Sequence, residues 1–184
     1  MQSGIINNQG YLKGGLLQKI YETTLTSTAS SLTISGLDGD TDILYELIIY
    51  IVNGQGTAGT CRYYLRMNGD TGSNMGTQST YGYGASPGSA GYTGTYWYTT
   101  RTAATVGSVG LSRSLIYAKS GYVRTILTEG LLDVIGTGIL MNILFTESWN
   151  NTADNITSMV ITAELTNGLG IGSHIELWAL RKHS

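Results

Sequence analysis

A chain of 184 residues with one cysteine and a formal net charge of −2 is long enough for one domain with its own core, but has no intramolecular disulfide and no cysteine-built metal site. Charged residues make up only 12%, against about 25% in typical chains. No basic run is denser than Arg181-Lys182-His183, which argues against a nucleic-acid binder. An apolar fraction of 41%, with 26 glycines, 13 tyrosines and abundant Thr and Ser, excludes a polar disordered chain and points to strands and turns.

Residues 1–15 carry glycines and amides and read as a flexible N-terminal arm; 16–184 read as a single domain. Met1 to Asn8 has neither a basic nor an apolar signal region, so synthesis in a cytoplasm without a signal peptide is expected. Tyr21 to Thr26 fits a strand, although Leu16, Leu17, Ile20 and Tyr21 also sit at helical spacing. Ser31 to Ser35 alternates as the next strand. Asp38, Asp40 and Asp42 resemble the opening of a calcium loop. Such a loop wants Gly at its sixth position and Glu at its twelfth, where Ile43 and Ile49 stand. A tight turn is the reading taken, and a bound cation is the alternative.

Ile43 to Val52 is nearly continuous apolar sequence and predicts a central strand covered on both faces. Cys61, Tyr63, Leu65 and Met67 alternate with Arg62, Tyr64, Arg66 and Asn68, so a strand with the first set inward is expected, paired with its predecessor in a long hairpin. Asn68-Gly69 follows as a turn signal, because both residues tolerate positive φ.

From 69 to 110 Gly, Ser, Thr and Tyr dominate. Tyr, Ser and Gly together are the composition of binding loops, where aromatic rings give rigid contact area. Tyr81, Tyr83, Tyr92, Tyr96, Trp97 and Tyr98 are therefore the candidate interaction surface, with Tyr92, Tyr96, Trp97 and Tyr98 as possible stacking platforms for sugar rings or a neighbouring subunit. An ordinary strand over Tyr96–Thr100 with one aromatic face outward is the first reading, and an interface role for that face stands beside it.

Ser114 to Ala118 predicts a strand. Residues 122–135 fit helical spacing, but Gly130 and the surrounding β pattern favour strand–turn–strand. Ile139 to Thr146, Ile156 to Leu165 and His174 to Leu180 alternate as further strands. The apolar zone from Leu131 to Phe145 is interrupted by Asp133, Gly136, Gly138 and Asn142 and is too short for a bilayer, so no membrane partner is expected. The sum is an all-β, antiparallel β-sandwich of about ten strands.

No enzyme and no cofactor are expected. The two histidines, His174 and His183, show no evident nucleophile beside them, and the acids Glu129, Asp133, Glu147 and Asp154 are placed in or near turns. Asn150-Asn151-Thr152 and Asn155-Ile156-Thr157 match glycosylation sequons and read as turns.

Three stretches carry a family resemblance. Leu65–Met75, L-R-M-N-G-D-T-G-S-N-M, is similar to a signature of small tailed-phage virion proteins. Trp149–Thr152 followed by Ile156–Met159, and Gly170–Trp178, resemble two later segments of the same family in the same order. The resemblance implies a jelly-roll-like sandwich and a non-enzymatic structural part of a virion: a capsid decoration, head-fibre or tail-associated protein, often trimeric. Its implied partners are the major capsid or tail protein of the same particle and other copies of itself. The chain departs from the family in its Tyr/Gly-rich 76–100 segment and at Trp178-Ala179. A carbohydrate- or receptor-binding module acting on host glycans, through the aromatic residues, is the alternative function.

Overall fold

The computed structural model describes residues 16–56, 60–83, 86–134 and 139–181. The arm expected over 1–15 and the basic Lys182-His183 end lie outside the described residues. The strands are β1 (Leu16–Thr24), β2 (Ser31–Ser35), β3 (Leu44–Val52), β4 (Cys61–Met67), β5 (Met75–Tyr83) and β6 (Ser86–Gly94). They continue with β7 (Trp97–Thr102), β8 (Val109–Tyr117), β9 (Arg124–Val134), β10 (Ile139–Trp149), β11 (Ser158–Ala163) and β12 (His174–Arg181). One helical turn, α1 (Gly39–Asp42), precedes β3.

They form a sandwich of two antiparallel sheets, an eight-stranded one ordered β1-β12-β3-β8-β9-β10-β5-β6 and a four-stranded one ordered β2-β11-β4-β7. Set aside the hairpins β5–β6 and β9–β10, and the remaining strands interleave as β1-β12-β3-β8 over β2-β11-β4-β7. That is the doubly wound Greek-key order of a jelly roll. The two hairpins pair with each other through β10 and β5 and extend the large sheet beyond β8.

The core follows from alternation. Cys61, Tyr63, Leu65 and Met67 of β4 are buried as expected and meet Ile34, Met159 and Ile161 from the same sheet. Tyr45, Leu47, Ile49 and Ile51 of β3, with Ile175, Leu177 and Ala179 of β12, supply the facing layer. Removing these side chains from water is the main force holding the two sheets together.

Four expectations are corrected. There are twelve strands rather than about ten, because the Tyr/Gly-rich stretch forms the hairpin β5–β6. Within residues 122–135 the expected strand, not a helix, is present as β9, but the turn is not: β9 runs unbroken through Gly130. β3 and β4 are not a hairpin; β3 pairs with β12 and β8 in the large sheet, and β4 with β11 and β7 in the small one. Nor is β3 covered on both faces, since Ile48 is only half-buried and Tyr50 is exposed on the outer side.

Gly130 has a packing reason. A Cβ there would stand 3.3 Å from the Thr99 carbonyl oxygen, and one at Gly110 would stand 2.4 Å from that of Arg101. Two glycines thus let the backbone of β7 lie directly on β8 and β9, closer than side chains would permit.

The extension departs from the usual polarity of a sheet: Ile126, Ile143, Phe145 and Trp149 point inward and are buried, but polar residues lie inward among them and leucines lie outward. Its inward positions include Thr77, Ser79, Ser112, Ser114, Thr128 and Glu147, all buried. Its outward positions include Leu111, Leu127, Leu131 and Leu144, all exposed.

Candidate functional site

Two of the three segments behind the family resemblance, Leu65–Met75 and Trp149–Met159, converge on one joint. Met67–Asp70 is a tight turn closed by the Asp70 N–H on the Met67 carbonyl (2.9 Å), with Asn68 and Gly69 at φ of 52° and 64°. It does not close a hairpin; it carries the chain from the small sheet to the large one. The Asn68 side-chain oxygen accepts from the N–H groups of Thr157 (2.8 Å) and Ser158 (3.1 Å), and its amide donates to the Asn155 carbonyl (2.7 Å). The Trp149 indole N–H donates to Asp70 Oδ2 (2.8 Å), and the Asn150 N–H donates to the Asn74 carbonyl (2.8 Å). Burial alone would raise the Asp70 carboxyl, but the bonds donated by Trp149, Asn74 and Gly72 outweigh it and hold it below the ordinary range.

Arg124 completes the joint. Its side chain is fully buried, its guanidinium lies over the Trp149 ring at 5.1 Å, and it donates to the carbonyls of Ala118, Tyr122, Asn151 and Asp154. These turn and strand residues hold the fold together and leave no free donor set for a ligand.

The aromatic residues form a nest at the edge of the small sheet. Tyr98 stands 5.2 Å from Tyr92, 5.6 Å from Tyr96 and 5.3 Å from Tyr64, and stacks on Phe145 at 5.8 Å. Arg66 lies over Tyr96 and Arg101 over Tyr98. Tyr92, Tyr96 and Tyr98 are half-buried, so each keeps part of its ring at the surface. Trp97 is not among the surface rings. It is 0% exposed, meets Trp149 edge-on at 6.4 Å and donates its indole N–H to the Ser148 carbonyl (3.1 Å). It faces inward because strand alternation turns it opposite to Tyr96 and Tyr98. Tyr81 is half-buried and stands apart, its ring over Gly88, where a Cβ would come within 2.3 Å of it. The backbone of Tyr83 pairs with Met141 and Ser86, while its side chain lies outside the described residues.

Three groups that sequence reasoning left apart meet on the outer face at β1 and β12. Glu22 and Glu176 are cross-strand partners, and His174 lies two residues before Glu176. His174 Nε2 is 3.2 Å from Glu176 and 3.6 Å from Glu22, and its Nδ1 is 2.8 Å from the Thr24 hydroxyl. The expectation that no nucleophile stands beside His174 is thus corrected. The hydroxyl–imidazole–carboxylate chain lies on an open sheet face, outside the grooves described below, and has no backbone oxyanion site built against it. The ligand atoms of Glu22, His174 and Glu176 lie within 4.8 Å of one another and are the set among the described residues able to hold a metal. The Lys19 ammonium also bonds both carboxylates, at 2.7 Å and 3.4 Å, and offsets part of their charge. No sequence spacing signals this cluster, because its members are some 150 residues apart.

The aspartates of the calcium-like loop are spent on the fold. Asp38 caps α1 and binds Thr41 and Asn155; Asp40 accepts from the Ser120 N–H (2.7 Å); Asp42 binds the Tyr45 hydroxyl (2.8 Å) and Arg181 (2.7 Å). Glu129 lies in the middle of β9 and Glu147 in β10, two residues before its end, and neither is in a turn. Burial pushes the Glu147 carboxyl well above the ordinary range, although the Tyr98 N–H (3.0 Å) and the Thr77 hydroxyl (3.3 Å) donate to it.

The outer face of the large sheet holds two shallow grooves. The larger, about 970 Å³, crosses β8, β9, β10, β5 and β6 between Leu111, Leu131, Leu144, Asn142 and Thr80. The second, about 630 Å³, lies beside it between Leu44, Leu115, Tyr117, Leu127 and Gln78. Comparisons with protein-family models, curated proteins and solved structures find no match to this chain. Among the described residues no helix is long and apolar enough to cross a membrane.

Proposed function

We propose that the chain is a non-enzymatic structural component of a tailed-phage particle, a capsid decoration or a head or tail accessory protein. The observation that carries this reading is the joint. Asn68, Asp70, Trp149 and Thr157 belong to the two separate stretches that resemble virion proteins, and they bond to one another. Residues with a common structural task have a physical reason to recur together, which a chance likeness of turn residues lacks. A jelly roll with a charge-poor, leucine-bearing outer surface supports the same reading, because such a surface suits a protein largely covered in an assembly. Its partners in this reading are a major capsid or tail protein and further copies of itself. Co-sedimentation tests the proposal: the tagged chain, expressed during infection, pellets with purified particles and is released only by dissociating them. Recovery wholly in the particle-free fraction overturns it.

A second reading is favoured by the nest of Tyr92, Tyr96 and Tyr98 with Arg66 and Arg101, which offers part-exposed rings beside hydrogen-bond donors, as carbohydrate modules do. A glycan array with Tyr96→Ala as the control tests it. Binding that disappears in the variant supports a host-glycan contact; a blank array removes it.

A further inference from the structure

We infer that the outer leucine face of the extended sheet is a self-association surface that packs on the same face of a second copy about a two-fold axis. The register defines this face. Leu111 lies opposite Leu131, Arg113 opposite Glu129, and Leu115 opposite Leu127 on β8 and β9. Leu144 on β10 follows opposite Glu129. Leu111, Leu127, Leu131 and Leu144 are 42%, 39%, 45% and 39% exposed. Soluble proteins scatter exposed leucines singly; four on adjacent strands of one face form a contiguous patch.

Charge selects the occupant. At the centre of the leucines stands the Arg113–Glu129 cross-strand pair. Arg113 binds Glu46 on β3 through its Nε, while Glu129 makes no ion pair among the described residues. A two-fold axis along the strands, midway between β8 and β9, brings the partner's β8 over β9 of the first copy. Each Arg113 then stands over the partner's Glu129, and Leu111 and Leu115 stand over the partner's Leu131 and Leu127. One face thus meets both its apolar and its charged needs with a copy of itself, the isologous contact that closes at two subunits. The axis also sets the partner's β10 over β3, so four strands about 4.8 Å apart and seven residues at about 3.4 Å each span about 460 Å² before side-chain relief, a contact at the small end of specific interfaces.

The test uses the full chain. Native mass spectrometry and light scattering at about 50 µM are expected to give a mass twice that of one chain. Leu127→Lys/Leu131→Lys is expected to give a monomer with an unchanged far-ultraviolet circular dichroism spectrum. Val106→Lys and Ile171→Lys, exposed elsewhere, are expected to leave the dimer intact. Mixed single variants Leu111→Cys and Leu131→Cys are expected to be joined between copies by a short bifunctional maleimide, because facing sheets lie about 10 Å apart; Cys61 is buried and takes no part. A strict monomer, a strict trimer, or a dimer that survives the double lysine variant overturns the inference. The virion reading is separate: a dimer that never pellets with particles refutes that reading and leaves this one standing.

Discussion

The jelly-roll half and the four-strand extension share one large sheet but differ in what they turn inward and outward. Between β3, β12, β4 and β11 the interior is aliphatic, with Leu47, Ile49, Leu65, Ile161 and Leu177 buried. Beneath β5, β9 and β10 hydroxyls and a carboxyl are buried among Ile126, Ile143, Phe145 and Trp149, with the leucines outward. Glu147 Oε2, Tyr92 Oη and Ser112 Oγ find no hydrogen-bond partner there, although buried polar groups are usually paired. The contrast teaches that the extension has a small apolar core, Ile143 and Phe145 beside Ile126 and Trp149, and leans on the jelly roll for the rest. It is held by ladder hydrogen bonds to β8, by the backbone of β7 on Gly110 and Gly130, and by the joint at Trp149.

Breaking the joint should cost the most. Arg124→Ala leaves several buried carbonyls without their donor and removes the cation from the Trp149 face. A loss of about 3 kcal/mol or more is expected, read as a drop in the urea midpoint. Asp70→Ala removes the acceptor of the Trp149 indole and of the Gly72 N–H. It should cost about 1–3 kcal/mol and shift tryptophan emission; an unchanged spectrum and midpoint would show that the turn holds without it.

Glu147 sharpens the comparison through pH. Its folded carboxyl is raised above the unfolded one by burial, so the folded state binds the extra proton. Stability from this group is present in full below the ordinary glutamate value of about 4.3 and declines as pH rises toward the raised one. Urea unfolding should therefore show a downward slope with pH over that window, and Glu147→Gln should flatten it. A slope that persists in the variant would assign it to another group. The smallest effect belongs to the outer face. Leu131→Ser should change monomer stability by no more than about 0.5 kcal/mol, because its side chain is 45% exposed; a larger loss would mean that the leucine face is part of the core.

Legibility in the sequence divides along the same line. β4, β11 and β12 were readable because their apolar positions face inward, so a period of two reports both strand and burial. β5 and β6 were not, because Thr, Ser and Gly on both faces leave no periodic signal. In β8, Leu111 and Leu115 alternate with Ser112 and Ser114 as plainly as in any strand. The pattern states that two faces differ and not which one points inward, and here the apolar one points out. At the candidate surface Tyr92, Tyr96 and Tyr98 were found by composition, whereas Trp97 was misplaced although its parity relative to Tyr96 and Tyr98 already separates them. Glu22 and His174 had no signal, since only the pairing of β1 with β12 brings them together.

The joint at Asp70, Arg124 and Trp149 has a consequence for association. Rivets at the roots of β5, β9 and β10 fix the extension at one angle to the jelly roll, leaving no swinging element to arrest when a partner arrives. Association then forfeits rigid-body freedom and some side-chain rotamers, but little internal motion. A preorganised face of modest area can therefore retain most of its gross interaction energy as affinity.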